Sequence, residues 1–235
     1  MPCIAIITAR GGSKRIPKKN IKEFCGKPII SYSIEAAIKS SLFNEVMVST
    51  DSSEIASIAI SYGAKVPFMR SEKTSNDYAT TEEVLLEVLE EYRKEGIEYN
   101  SLCCLYPTAP FVTPEKLIEA KRLLDITTDC DAVIPVVRFS FPPQRGIVER
   151  DGFLRYQFPE NANVRSQDLE PVFHDCGQFY FCKVSALERY HDLVCPNSIP
   201  YEITEEEVQD IDNESDWSIA ELKYQLMRER KNLNV

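Results

Sequence analysis

No apolar run approaches the roughly 20 residues that a membrane-spanning helix needs. No charged stretch precedes the apolar start of MPCIAIITARGG, which runs into a basic loop rather than a cleavage site. Neither a membrane span nor a secretory leader is expected, and the expected compartment is cytoplasmic. Glycine is sparse at 8 of 235 residues, and neither GxxxxGK[ST] nor GxGxxG occurs. That excludes a Walker A loop and a dinucleotide fingerprint. None of the 8 cysteines stands in a CxxC pair, so a zinc ribbon or thioredoxin-like motif has no support. A chain this long can bury a normal core, and its cysteines read as reduced thiols. Basic charge is also in deficit: 27 Lys and Arg against 37 Asp and Glu leave a formal net charge of -10. A nucleic-acid or anionic-membrane partner would reward the opposite balance. Internal repeats and low-complexity segments are absent.

What is present alternates between two periodicities. Ile4 to Thr8, Val46 to Ser49, Val66 to Met69, Ser101 to Tyr106 and Ala132 to Val137 read as short buried strands. Between them lie helical patterns. Pro28 to Ile38 places Ile30, Ile34, Ala37 and Ile38 at helical spacing. Ser52 or Ser53 starts a helix through Ile60, and Thr80 to Glu83 spells a capping box. Thr113 and Pro114 are a cap followed by proline at the first helical position. The alternation predicts an α/β, Rossmann-like, mostly parallel sheet with helices on both faces and ligand loops at the carboxyl ends of the strands. After Val137 the rhythm changes. Residues 139–167 read as an antiparallel ribbon insertion, with Glu149 to Gly152 as its hairpin turn. Phe179 to Val184 returns to the sheet. Residues 215–230 form a last helix with Trp217, Ile219, Leu222 and Leu226 as its buried stripe. The whole chain, 1–235, reads as one domain carrying that insertion.

Two charged features carry chemistry. From Met1 to Lys22 there is no acidic residue, while Arg10, Lys14, Arg15, Lys18, Lys19 and Lys22 are basic. Gly11 and Gly12 let the backbone fold closely and present N–H groups beside these cations, which suits a phosphate. A solvated basic loop is the plain alternative. The reverse holds from Tyr201 to Asp216, which has eight carboxylates and no Lys or Arg. Within it, Asp210-Ile211-Asp212 sets two carboxylates on one side of an extended chain. That arrangement suits Mg²⁺, a hard cation; a solvated acidic loop is the alternative. Taken together, a loop that neutralises phosphates and acids that hold Mg²⁺ are the parts of a nucleoside-triphosphate site. Cys176 lacks an arranged base for a nucleophile's role. His174 is open to a structural or a site role, His191 reads as surface, and Asp51 either caps a helix or faces the site.

The stretch Ala9 to Asn20, ARGGSKRIPKKN, resembles the signature loop of the sugar-acid cytidylyltransferases, the CMP-sialic acid synthetase-like family. Further matches follow in order: Val48 to Asp51, then Arg70 with Asn76-Asp77 and Thr80-Thr81, then Leu105 to Pro110, then Asp210 to Asp212. Val164 to Pro171 and His174 to Tyr180 resemble the branch of the family that acts on pseudaminic acid. Tyr106 and Cys176 depart from the sialic acid pattern. The resemblance implies that a nonulosonic acid's 2-hydroxyl attacks the α-phosphate of CTP and pyrophosphate leaves, with sialic or legionaminic acid as alternative acceptors. It implies that Arg10, Gly11, Gly12, Ser13 and Lys14 hold the triphosphate, and that Lys19 lies near the reacting phosphate, with Lys19, Arg10 and Asp212 as the catalytic set. Asn20, Arg70 and Thr81 would contact the cytidine, and Asp210 and Asp212 would ligate Mg²⁺. Arg165 is the candidate partner of the sugar carboxylate, because its fork fits one; Gln167, His174 and Gln178 would read polar substituents. The ribbon's Phe139, Phe141, Phe153, Tyr156 and Phe158 predict burial against a second copy, hence a homodimer. A nucleotide-sugar glycosyltransferase and a non-catalytic nucleotide-binding module are the rival readings. The basic loop argues against the first and the retained acid pair against the second.

Overall fold

The apolar runs assemble into a seven-stranded sheet in a computed structural model of the chain, which describes residues 1–233. The strands are β1 (Cys3–Thr8), β2 (Glu23–Phe24), β3 (Lys27–Pro28), β4 (Glu45–Ser49), β5 (Ser101–Leu105), β6 (Ala132–Arg138), β7 (Ile147–Arg150), β8 (Phe153–Tyr156), β9 (Phe173–Asp175), β10 (Phe179–Lys183) and β11 (Ser198–Glu202). The helices are α1 (Ile30–Ser40), α2 (Ser53–Ser61), α3 (Glu72–Ser75), α4 (Thr81–Lys94), α5 (Pro114–Ile126), α6 (Val184–Tyr190) and α7 (Glu214–Leu233). The main sheet runs β11-β6-β10-β5-β1-β4, with β9 also on β6. Strands β1, β4, β5, β6 and β11 share one direction; β10 and β9 run against it. The sheet is thus mixed with a mostly parallel centre, as the alternation predicts. Strand β10 closes the gap between β5 and β6, and it begins two residues beyond a break at Cys176–Gly177, where the Cys176 N–H bonds the Pro135 carbonyl at 3.1 Å.

Alternation along each strand explains why helices cover both faces. Ala5, Ile7, Val48, Cys103, Leu105 and Phe181 face α1, α2 and α5. Ile4, Ile6, Met47, Leu102, Cys104 and Cys182 face α4 and α6. Residues two apart share a face, so apolar runs serve two cores at once. The predicted helix starts are present: Thr80 and Glu83 close the capping box of α4, and the Thr113 hydroxyl accepts the Lys116 N–H ahead of α5. The ribbon is present too, with β7 and β8 paired about Asp151 and Gly152 at φ 56° and 78°, the left-handed geometry of a tight hairpin.

Two expectations are corrected. Val66 to Met69 is not a strand; only Lys65 bridges to Met47, because Pro67 has no N–H for a ladder. The buried stripe of α7 is also different. Trp217 is buried, but Ile219, Leu222 and Leu226 are exposed, and Ala220, Tyr224 and Met227 pack inward instead. Aromatic partners decided the rotation. Trp217 and Tyr224 each meet Phe24 edge-on at 5.6 Å, a favoured ring geometry. The eight cysteines are all free thiols, seven of them buried.

Candidate active site

The basic loop leaves the carboxyl end of β1 and folds back on itself. Ala9 N–H bonds the Ser49 carbonyl at 3.0 Å, and Gly11 N–H donates to Asp51 Oδ1 at 2.7 Å. A Cβ on Gly11 would sit 3.1 Å from Ser52 Cβ, whereas Gly12 faces open space. The buried Asn20 donates from Nδ2 to the Arg10 carbonyl at 2.9 Å, and Ile16 is buried in a separate core. Anchors at both ends leave the charged side chains turned outward. They border a cleft of about 470 Å³ whose lining includes Arg10, Ser13, Lys14, Lys19, Asn20, Arg70, Thr81 and Tyr106. Seven of the ten expected nucleotide-side or catalytic residues therefore share one concave surface; Gly11, Gly12 and Asp212 are not in its lining, and the Gly11 N–H is spent on Asp51.

The acidic segment reaches the same place through its apolar residue. Ile211 is 2% exposed and packs with Ile16, Phe24, Phe111 and Trp217. Burying Ile211 turns Asp210 and Asp212 the other way, as an extended chain requires. Lys19 Nζ donates to the Ile211 carbonyl at 2.8 Å and lies 4.0 Å from Asp212 Oδ1. Arg15 Nη1 pairs with Asp212 Oδ2 at 2.5 Å, and Lys22 with Glu214 at 2.5 Å. Asp216 Oδ2 accepts the N–H groups of Asp212 and Asn213 and fixes the turn into α7. Burial pulls the Lys19 pKa below the usual lysine value, and the Asp212 charge works against that shift.

On the nucleotide side, Arg70 is buried, donating from Nε to Ser49 Oγ at 3.0 Å and from Nη2 to the Ser49 carbonyl at 2.6 Å. Thr81 opens α4, its hydroxyl 3.5 Å from Tyr106 Oη. Asp77 pairs with both Arg10 and Lys14. Its Asn-Asp motif was visible in the sequence, but that it pairs with these two cations was not.

The four residues expected to read the sugar are outside this lining, although the Gln178 carbonyl accepts the N–H of the cleft residue Tyr106 at 2.9 Å. None of Arg165, Gln167, His174 and Gln178 lines the cleft described above. Arg165 is exposed and 3.8 Å from Asp168. Gln167 borders a second cleft of about 510 Å³ with Phe139, Glu170 and Thr204. His174 is exposed, with Nδ1 3.0 Å from the Asp175 carbonyl and its ring against Phe139. Gln178 is buried and donates to the Glu207 carbonyl at 2.7 Å, tying β10 to the acidic segment. Cys176 is buried, and burial pushes its thiol up to about 12, the reverse of what a nucleophile needs.

The donor set also bears on a metal. Among the described residues no three His, Cys, Asp or Glu side chains converge as a metal cage. Mg²⁺ needs no such cage: it is commonly held by one or two carboxylates plus phosphate oxygens and water. Two outward carboxylates on a buried plug, beside a polyphosphate-sized basic cleft, fit that requirement.

A sheet of this topology, with a basic loop after its first strand and an acid pair facing it, defines a class of nucleotidyltransferase. The profile of the cytidylyltransferase family matches residues 4–125, and the chain belongs to that family. Its relatives include the pseudaminic acid cytidylyltransferase of Campylobacter jejuni, 38% identical over 97% of this chain and 99% of that one. The CMP-N,N'-diacetyllegionaminic acid synthase of Legionella pneumophila is 30% identical over 97% and 99%. Among solved structures, CMP:2-keto-3-deoxy-manno-octonic acid synthetase complexed with CTP matches with a TM-score of 0.70 at 18% identity, over 97% of this chain and 100% of that one. It shares the fold. No helix among the described residues is long and apolar enough to cross a membrane.

Proposed function

We propose that the chain transfers CMP from CTP to the 2-hydroxyl of a nonulosonic acid, pseudaminic acid being the favoured acceptor, and releases pyrophosphate. The observation that carries this reading is the meeting of the two charged segments at Lys19, whose ammonium touches the acidic segment while bordering the cleft. Arg10, Ser13 and Lys14 bind the triphosphate, with Gly11 and Gly12 shaping the loop. Asn20, Arg70 and Thr81 hold the cytidine. Lys19 offers a charge at the reacting phosphate, where an in-line transfer is helped by positioning and neutralisation rather than by a covalent nucleophile. Asp210 and Asp212 would hold Mg²⁺, which supplies charge neutralisation at phosphate oxygens. For Asp212, that means exchanging Arg15 for the metal.

The long match to the Campylobacter jejuni relative supports pseudaminic acid; the Legionella pneumophila relative makes legionaminic acid the second acceptor to try, with sialic acid beside it. Arg165, Gln167 and His174 serve the acceptor side, while buried Gln178 serves it by holding the acidic segment. The exposed Ile147, Phe153 and Leu154 of the ribbon support a homodimer in which 139–167 is the arm of a single nucleotidyltransferase domain. Reduced, buried cysteines suit a cytoplasmic enzyme. The test is a pyrophosphate-release assay with CTP, Mg²⁺ and the three acids supplied separately. The expected result is turnover fastest with pseudaminic acid. No release with any acid overturns the reading.

A further inference from the structure

One carboxylate stands where the phosphates are expected. Asp77 sits on the segment between α3 and α4. Its Oδ1 accepts from Arg10 Nη1 at 2.9 Å, and its Oδ2 pairs with Lys14 Nζ. Arg10 also donates to the Asn76 carbonyl at 3.3 Å. All three residues border the same cleft. The two cations stabilise the ionised Asp77, whose carboxyl is held below the usual range by the Lys14 ammonium first and Arg10 after it.

The rest of the segment is tied locally. Asn76 Oδ1 accepts the N–H groups of Tyr78 and Ala79. The flanking elements are fixed by other means: Glu87 accepts from Ser71 and Thr74, and the capping box fixes the start of α4. Next to Asp77, Tyr78 is 93% exposed. The tip thus leans on the basic loop through Asp77 and the Asn76 carbonyl, while its two ends are held independently of that contact. A carboxylate on a lightly tethered tip, resting on two cations, can be displaced by a more highly charged anion without unfolding either helix.

We propose that Asp77 is an internal competitor for the phosphates of the leaving group, occupying Arg10 and Lys14 when they are empty and returning to them as pyrophosphate departs. The inference rests on the assignment of Arg10 and Lys14 to the triphosphate. A competitor of this kind weakens every ligand that needs those two cations by the same factor. CTP and inorganic pyrophosphate both need them. CMP, which lacks the outer phosphates, does not. Asp77 therefore lowers the affinity for pyrophosphate, a released product, and leaves nucleoside recognition alone. It is a determinant of selectivity along the phosphate chain rather than a catalytic residue.

Calorimetric titration of the full chain tests this with three probes: CTP, inorganic pyrophosphate and CMP. The variants are Asp77→Asn and Asp77→Ser, two neutral replacements of different shape, each checked for an unchanged melting curve. Exposed, salt-screened pairs have modest effects, so pyrophosphate and CTP are expected to bind roughly 3- to 10-fold more tightly to both variants. CMP affinity is expected to stay within about twofold. Pyrophosphate binding that is unchanged or weaker in both variants overturns the proposal. So does an equal tightening of CMP, which would mark a general field effect instead of competition for two cations. Failure of the underlying assignment looks different: Arg10→Met and Lys14→Met would then bind CTP and pyrophosphate as tightly as wild type, whereas both ligands weaken if these two cations hold the phosphates.

Discussion

Lys19→Met removes a side chain of the cleft that joins the two halves of the site. Methionine keeps most of the length and apolar stem, so the deletion is mainly of charge. Lys19 Nζ sits 2.8 Å from the Ile211 carbonyl and 4.0 Å from Asp212 Oδ1. In the proposed reaction, its place at the cleft puts it where charge would develop during transfer. Removing one preorganised donor of that kind costs about 10²- to 10³-fold in kcat. The ground state changes less. Loss of the ammonium leaves the Ile211 carbonyl without this donor, a cost on the order of 1–3 kcal/mol for a fully buried group. The Lys19 side chain is 22% exposed, so water can replace part of that bond, and relief of the ammonium's own desolvation acts in the opposite direction. The net stability loss should therefore be about 1 kcal/mol, far too small to explain a hundredfold loss of turnover. The assay is pyrophosphate release at saturating CTP, Mg²⁺ and pseudaminic acid, beside urea unfolding of the same preparations. Lys19→Arg, which retains charge, should recover part of the rate. A kcat within about threefold of wild type would remove Lys19 from the reacting phosphate. A stability loss that accounted for the whole defect would make Lys19 structural.

Three further outcomes follow from the same geometry. Asp212→Asn should lower kcat by more than ~10²-fold and raise the Mg²⁺ concentration needed for half-maximal rate; an unchanged magnesium titration would take Asp212 out of metal binding. A Phe153→Asp, Leu154→Asp double substitution on the exposed ribbon should shift light scattering from dimer to monomer with secondary structure intact; an unaltered mass would place the interface elsewhere. Glu87 is the clamp of α3 onto α4: burial alone would raise its pKa, but hydrogen bonds from Ser71 and Thr74 outweigh that and hold it below the usual glutamate value. A depressed folded value means that the unfolded chain binds the proton more readily, so this contribution is present above the unfolded pKa and fades as pH falls through the folded one. The stability gap between wild type and Glu87→Gln should accordingly shrink on acidification below about pH 4, and a gap that stayed constant would refute the clamp.

Much of the scaffold is local and hence legible in one dimension. Thr80 with Glu83, and Thr113 with Pro114, mark helix starts because a cap is satisfied within three residues. The runs of β1 and β5 read as buried strands because both of their faces are apolar. Failures came where a local pattern had several solutions. Val66 to Met69 is β-rich, yet Pro67 denies it a ladder. On α7, two overlapping apolar stripes begin at Trp217. Only the rings of Phe24 and Tyr32, almost two hundred residues earlier, select the one through Ala220 and Tyr224.

The site divides in the same way. Charge segregation is a property of the chain: a basic first 22 residues and an acidic 201–216 are written there, and opposite charge favours their approach. What each cation touches is a property of the fold. The burial of Ile211 sets the direction of Asp210 and Asp212, and the course of the chain around α3 delivers Asp77 onto Arg10 and Lys14. The sequence held the type of chemistry, because composition and short motifs carry it; the partners were settled only in three dimensions, because contacts between residues 60 to 200 positions apart depend on how the whole core packs.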